Sequence, residues 1–232
     1  MERVLGVIKK DYILSKLENC KAFSIKYRLL INGTELYTKL SIMWASDRKH
    51  IIIGLENIDA EVRRDMEQQK ALKSANEKAS RDELTGVKNK NAYHDYEKEI
   101  QARIDSGVQG PFSIVLCDLN NLKAINDTYG HRVGDDYIRE ACRLICHTFV
   151  HSPVFRVGGD EFVAVLTEND YKIRRSLLNG FRESVLYNKS EGNMAIVASG
   201  LADFIPDKDR LVSDVFERAD SEMYQNKKAL KR

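Results

Sequence analysis

Between residues 22 and 58 apolar side chains recur on alternate positions: Phe23, Ile25, Tyr27, Leu29 and Ile31, then Leu36, Thr38, Leu40, Ile42 and Trp44 beyond Asn32-Gly33. A period of two marks strands with one buried face, and Asn-Gly supplies the positive-φ residues of a tight hairpin. After the polar turn Ala45-Ser46-Asp47-Arg48-Lys49, the run Ile51-Ile52-Ile53-Gly54-Leu55 completes a three-stranded antiparallel meander. Three strands alone leave the apolar face and two edges poorly covered. The pattern therefore predicts pairing with a second chain, or a sequence cut from a longer protein.

From Ile58 to Ala79 the period changes. Ile58, Val62, Met66, Leu72, Ala75 and Ala79 loosely follow one helical stripe in polar, helix-forming sequence. This predicts a connecting helix, either a solvated linker or a weak coiled coil joining two chains; Gln69 and Asn76 dilute the seam. Beyond Arg81 the pattern alternates. It predicts helices at about 90–105, 134–149, 170–188 and 209–229, and strands at about 112–118, 154–166 (a pair) and 195–202. Such alternation suggests an α+β, ferredoxin-like layer of mainly antiparallel strands with helices on its faces.

Composition narrows the function classes. Of 232 residues, 43% are hydrophobic and 31% charged, with only 3 Pro, which is a globular composition. Lys and Arg number 37 against 35 Asp and Glu, and a formal charge of +2 gives no broad field for duplex nucleic acid or anionic lipid, so any phosphate site must be local. No apolar run approaches the roughly 20 residues of a membrane span, and Met1 leads into charged, helix-like sequence, so a cytoplasmic location is expected. Cys20, Cys117, Cys142 and Cys146 form no CxxC pair and are expected to be reduced thiols.

Two places concentrate acids where strands end. The apolar strand Phe112–Cys117 delivers Asp118, although a lone strand-end Asp is more often a turn cap. The hairpin formed by Val154-Phe155-Arg156-Val157 and Phe162-Val163-Ala164-Val165-Leu166 carries Gly158-Gly159-Asp160-Glu161 at its tip, where glycines permit close backbone approach and a structural turn has no need of two carboxylates. If the strands are neighbours, the three acids form a hard oxygen site suited to magnesium on a nucleoside triphosphate. Downstream of Asp118, Lys123 and exposed amides suit phosphates, while Asn126 and Asp135 match a guanine edge.

Gly158-Gly159-Asp160-Glu161-Phe162 resembles the signature of the GGDEF domains, the diguanylate cyclases. Asp82-Glu83-Leu84-Thr85-Gly86 resembles the family's opening DxLTG, the stretch from Asp118 to Asp135 its metal and guanine segment, and Ala219-Asp220, Met223-Tyr224 and Lys227 its last helix. The resemblance implies a nucleotide-cyclase-type fold at 81–232 and condensation of two GTP into cyclic di-GMP and two pyrophosphates by a homodimer. It further implies magnesium, with manganese as a substitute, held by Asp118, Asp160, Glu161 and the Leu119 carbonyl, with Asp160 or Glu161 assisting deprotonation of the ribose 3′ hydroxyl. Asn121, Leu122, Lys123, Lys227 and Lys231 would grip phosphates, Asn126 and Asp135 would read guanine, and Arg156 would lie near the reacting phosphates or, equally, reach out to solvent as a strand arginine. Residues 1–58 resemble the second half of a PAS sensor domain and 59–80 a signalling helix; with the front half missing, no sensor cofactor is inferred.

The chain departs from the family pattern at Asn120, where a second Asp is common, at Lys90 in place of Arg, and at Leu230-Lys231 in place of Gly-Arg. These changes are expected to weaken triphosphate affinity at most. Phe149 and Ser152 stand where the inhibitory RxxD motif would lie, so product inhibition at that site is not expected. Cys142, Cys146, His147 and His151 are better explained as helix packing than as zinc ligands, since position 147 turns about 100° away from 146. His131 reads as a cap or loop contact, and Tyr93, Tyr96 and Tyr137 as packing residues. The competing function is a catalytically silent module that binds GTP or a partner protein and signals by dimerisation.

Overall fold

The computed structural model describes residues 10–31, 33–191 and 195–231, so Asn32 of the expected turn and the charged stretch following Met1 as far as residue 9 lie outside the described residues. The chain divides into two compact units, residues 1–76 and 77–232.

In the first unit, helix α1 (Lys10–Asn19) precedes strands β1 (Ala22–Ile31), β2 (Thr34–Trp44) and β3 (Ile51–Asn57), which form an antiparallel sheet in that order. The register sets Ile25 opposite Leu40 and Ile42 opposite Ile53, so the odd-even pattern becomes one apolar face. The face is less bare than three strands imply: Ile13 and Leu17 of α1 are buried with Leu40 and Ile42, and Trp44 Nε1 donates to the Leu17 carbonyl at 3.4 Å. Cover stops short of β3, where Ile53 and Leu55 remain 57% and 63% exposed. Helix α2 (Asp59–Ala79) begins where Asp59 accepts from the Tyr37 amide and pairs with Arg63 at 2.6 Å. No residue of α2 is buried, as its diluted stripe foreshadows.

The second unit is built on a five-stranded sheet in the order β4-β6-β7-β5-β8: β4 (Lys88–Asn89), β5 (Ser113–Leu119), β6 (Val154–Arg156), β7 (Glu161–Leu166) and β8 (Val197–Asp203). Every pairing is antiparallel except β4 with β6. All seven residues of β5 are buried, as expected of a central strand covered on both faces. Helix α3 (Lys90–Asp105) starts at Asn89, whose side chain accepts from the Ala92 amide. The chain then adds α4 (Leu122–Tyr129), α5 (His131–Thr148), α6 (Glu168–Lys172), α7 (Arg174–Glu191) and α8 (Val212–Leu230).

Helix α8 crosses β8 so closely that a Cβ at Gly200 would stand 2.1 Å from the Met223 amide nitrogen and 2.2 Å from the Ala219 carbonyl oxygen. No helix is expected at α4, and the single helix expected at 170–188 is two. The break follows from tertiary bonds: Asp170 is buried and accepts from Ser152 Oγ at 2.6 Å, while Arg174 forks onto Asp203 at 2.6 and 3.0 Å. Phe149 is buried against Phe181. Among the described residues no helix is long and apolar enough to cross a membrane.

Candidate active site

Asp118 is the sixth residue of β5, only 7% exposed, and its Cα partner on β7 is Glu161. Directly opposed residues of an antiparallel pair share a face, so two acids far apart in sequence are neighbours on one side of the sheet. Asp160 is fixed through its backbone, its carbonyl accepting from the Leu119 amide at 2.9 Å. Glu161 folds back over the turn, and its Oε2 lies 2.7 Å from where a Cβ on Gly158 would be. A side chain at 158 would displace that carboxylate.

Among the described residues no three His, Cys, Asp or Glu side chains are grouped so as to hold a metal by themselves, so the acids do not close into a cage. A magnesium site of one or two carboxylates completed by water and phosphate oxygens needs no cage. Asp118 fits such an ion: its carboxylate is a buried hard oxygen donor, held by the ammonium of Lys227 of α8, 2.6 Å from Oδ1 in a charge-assisted contact. Leu119 and Asp160 lie at the same strand ends, joined through their backbones.

Past β5 the chain turns at Asn121, which adopts φ 64°, a left-handed conformation that asparagine tolerates. Helix α4 then starts without a side-chain cap. The amides of Leu122 and Lys123 in its first turn have no intrahelical acceptor, and such a terminus favours phosphate. Lys123 is exposed beside them, and Lys231 is the exposed C-cap of α8. Asn120 is buried and its Oδ1 has no partner, while its backbone is held on both sides: its amide donates to the Ile196 carbonyl, and its carbonyl accepts from Tyr137 Oη at 3.1 Å. Tyr137 Oη accepts in turn from the Ile196 amide, a bridging role beyond packing.

The two expected base-reading residues lie on α4 and α5, joined at Gly130, whose φ is 85°. Asn126 Oδ1 is buried without a donor and is turned toward Gly134. Behind it stands Gly134, where a Cβ would fall 1.8 Å from Asn126 Oδ1. Asp135, the next residue, is half-buried. Sequence reasoning names Asn126 and Asp135 and misses Gly134, because a glycine needed for space leaves no pattern by itself.

Arg156 has its guanidinium engaged. Nη1 donates to both oxygens of Asp82 at 3.0 and 3.2 Å and Nη2 to the Gly159 carbonyl at 2.7 Å, while Nε is buried without a partner among the described residues. Asp82 also accepts from the Thr85 amide and hydroxyl, so DxLTG, β6 and the hairpin tip form one polar knot. Burial raises the Asp82 carboxyl pKa, but the Thr85 and Arg156 hydrogen bonds outweigh it and hold it below the ordinary value of 3.8. A cleft of about 470 Å³ is lined by Glu161, Lys90, Tyr93 and Phe216. Tyr93 packs against Phe155 and Phe216; its phenol is buried without a partner, and desolvation pushes its pKa up.

The family model described as "Diguanylate cyclase, GGDEF domain" matches residues 79–232. The chain is 32% identical over 116 residues to the probable diguanylate cyclase DgcT of Escherichia coli (strain K12), a match covering 50% of this chain and 25% of that protein. It is 38% identical over 89 residues to diguanylate cyclase DgcS of Shewanella oneidensis, covering 38% of this chain and 30% of the relative. The matches thus span a quarter to a third of these relatives. Among solved structures, the coiled coil and GGDEF domain of DgcB from Caulobacter crescentus, in complex with c-di-GMP, is similar with a TM-score of 0.60 and 26% identity, covering 73% of this chain and 90% of that one.

Proposed function

The chain belongs to the diguanylate cyclase GGDEF-domain family, and from that premise we propose that it condenses two GTP into cyclic di-GMP and two pyrophosphates, each of two chains presenting one nucleotide. The observation that carries this reading is the buried Asp118, directly opposite Glu161, with the next residue, Leu119, bonded through its amide to the Asp160 carbonyl.

In this reading Asp118, Asp160, Glu161 and the Leu119 carbonyl hold magnesium or manganese. The ion supplies Lewis acidity at the α-phosphate and neutralises charge on the departing pyrophosphate. The amides of Leu122 and Lys123, with the Asn121 turn that aims them and the side chains of Lys123, Lys227 and Lys231, hold the β- and γ-phosphates. Asn126 accepts from the guanine amino group and Asp135 from guanine N–H groups, which disfavours adenine. Asp160 or Glu161 takes the proton from the 3′ hydroxyl; the ribose oxygen bonds to the α-phosphorus of the partner's GTP as that phosphorus releases pyrophosphate. The same exchange in the opposite direction closes the ring. Arg156, engaged by Asp82 and Gly159, acts as a positioning residue that fixes the hairpin tip.

Residues 1–58 are proposed as a PAS-like half and 59–80 as a signalling helix; the three-stranded sheet and the exposed α2 support this. Phe149 is committed to the core and Ser152 to Asp170, which supports the absence of an RxxD inhibitory site. Incubation with GTP and magnesium followed by nucleotide chromatography tests the reaction. Cyclic di-GMP from the wild type and at least a hundredfold less from Asp160→Asn is expected, an estimate from the loss of a charge that acts in the transition state. Equal product from both would reject the metal assignment.

A further inference from the structure

We propose that Lys227 competes with the divalent ion for Asp118 and transfers to the triphosphate when nucleotide binds, so that the metal site reaches full affinity only with GTP in place. This rests on the metal reading above and concerns a residue it uses only for phosphate. Lys227 Nζ stands 2.6 Å from Asp118 Oδ1 and makes no other hydrogen bond or ion pair among the described residues. Asp118 likewise has no second cationic partner among them.

The contact neutralises the buried carboxylate and occupies Oδ1 at charge-assisted hydrogen-bond distance. An ion bonding that oxygen must therefore displace the lysine. A magnesium ion bonded to that oxygen at about 2.1 Å would sit only a few ångströms from the ammonium, and a dication and a monocation at that range repel strongly in a site this buried. The nearest relief is an anion within reach of the lysine, and a nucleoside triphosphate supplies one.

The helix that carries Lys227 is held in place. The neighbouring Asn226 accepts from the Ser199 amide at 2.9 Å, and Gly200 lets β8 press against the backbone at Ala219 and Met223. The exchange therefore belongs to the side chain alone, whose four-carbon stem allows the swing and whose charge is a mobile point rather than a fixed fork.

The experiment measures Mn²⁺ binding to the full chain by electron paramagnetic resonance, with and without a non-hydrolysable GTP analogue, for the wild type, Lys227→Met, Lys227→Gln and Asp118→Asn. Without nucleotide, both lysine variants are expected to bind Mn²⁺ about tenfold more tightly than the wild type, and to lose most of the tightening that the analogue causes. A lysine that served only to stabilise the fold would give unchanged or weaker binding. Wild-type or weaker Mn²⁺ affinity in both lysine variants, with binding lost in Asp118→Asn, overturns this proposal and leaves the metal assignment standing. Undiminished binding in Asp118→Asn overturns both.

Discussion

The two ends of the candidate site are built by different means. At the metal end, Asp118 and Asp160 sit on β5 and the hairpin tip, registered by sheet pairing and by the Leu119–Asp160 backbone hydrogen bond. At the base end, Asn126 and Asp135 lie on α4 and α5, with the chain reversed at Gly130 and Asn126 backed by the bare Cα of Gly134. The first end is registered by backbone hydrogen bonds, which tolerate a change of side chain except at Gly158, where a Cβ would displace Glu161; the second is positioned by the empty space at Gly134. Substitutions at the metal end should therefore remove chemistry and leave the fold intact. At the base end, a single added methyl should disturb recognition.

The largest effect separating the two is expected for Asp118→Asn, which keeps shape and removes charge. Turnover of GTP should fall at least a hundredfold, with a smaller loss of stability as the ion pair to the partly exposed Lys227 is broken. Steady-state kinetics beside a thermal melt checks this, and a large loss of stability with little loss of turnover would make Asp118 structural. Next comes Gly134→Ala. Its Cβ would have to displace Asn126 Oδ1 from 1.8 Å, so GTP affinity should weaken by about tenfold or more in an equilibrium binding measurement, with Mn²⁺ affinity unchanged. Asn126→Ala should reproduce that loss and narrow the preference for GTP over ATP about tenfold, the value of one hydrogen bond in a desolvated site.

Much of the metal end is legible in the sequence because its determinants are local. A strand buried on both faces reads as a continuous apolar run, and the hairpin announces itself by two such runs around Gly158-Gly159-Asp160-Glu161. The base end is half legible. Asn126 and Asp135 carry suitable chemistry, yet α4 has only eight residues, none buried, and offers too little apolar pattern to declare a helix. The Arg156 partner is invisible for a different reason: Asp82 lies 74 positions upstream, and nothing local indicates which acid an arginine will meet. In the first unit the alternation gives the strands, but the cover that α1 provides depends on two residues of a mostly polar helix, Ile13 and Leu17.

The Asp82 knot refines the comparison, since it braces the metal end through side chains. Arg156→Ala should destabilise the second unit by about 1.5–3 kcal/mol in denaturant unfolding, the range for hydrogen bonds to a charged partner. Because the Asp82 pKa is lowered in the folded state, its contribution is complete above the unfolded value near 3.8 and is lost as pH falls through the folded value. The difference in stability between wild type and Asp82→Asn should therefore be constant at neutral pH and shrink on acidification below about pH 4. A difference that grows on acidification would contradict the assignment. The smallest effect is expected at Ile53→Ala, because that side chain is already 57% exposed: a change within about 1 kcal/mol, against several for a fully buried isoleucine such as Ile114.

The central claim is tested most directly by a crystal structure with Mn²⁺ and a non-hydrolysable GTP analogue, the ion located by its anomalous scattering. The account predicts manganese bonded at about 2.1–2.3 Å to an Asp118 carboxylate oxygen and to phosphate oxygens, with the guanine edge on Asn126 and Asp135. Manganese bound away from Asp118, or a guanine ring outside the α4–α5 junction, would contradict it.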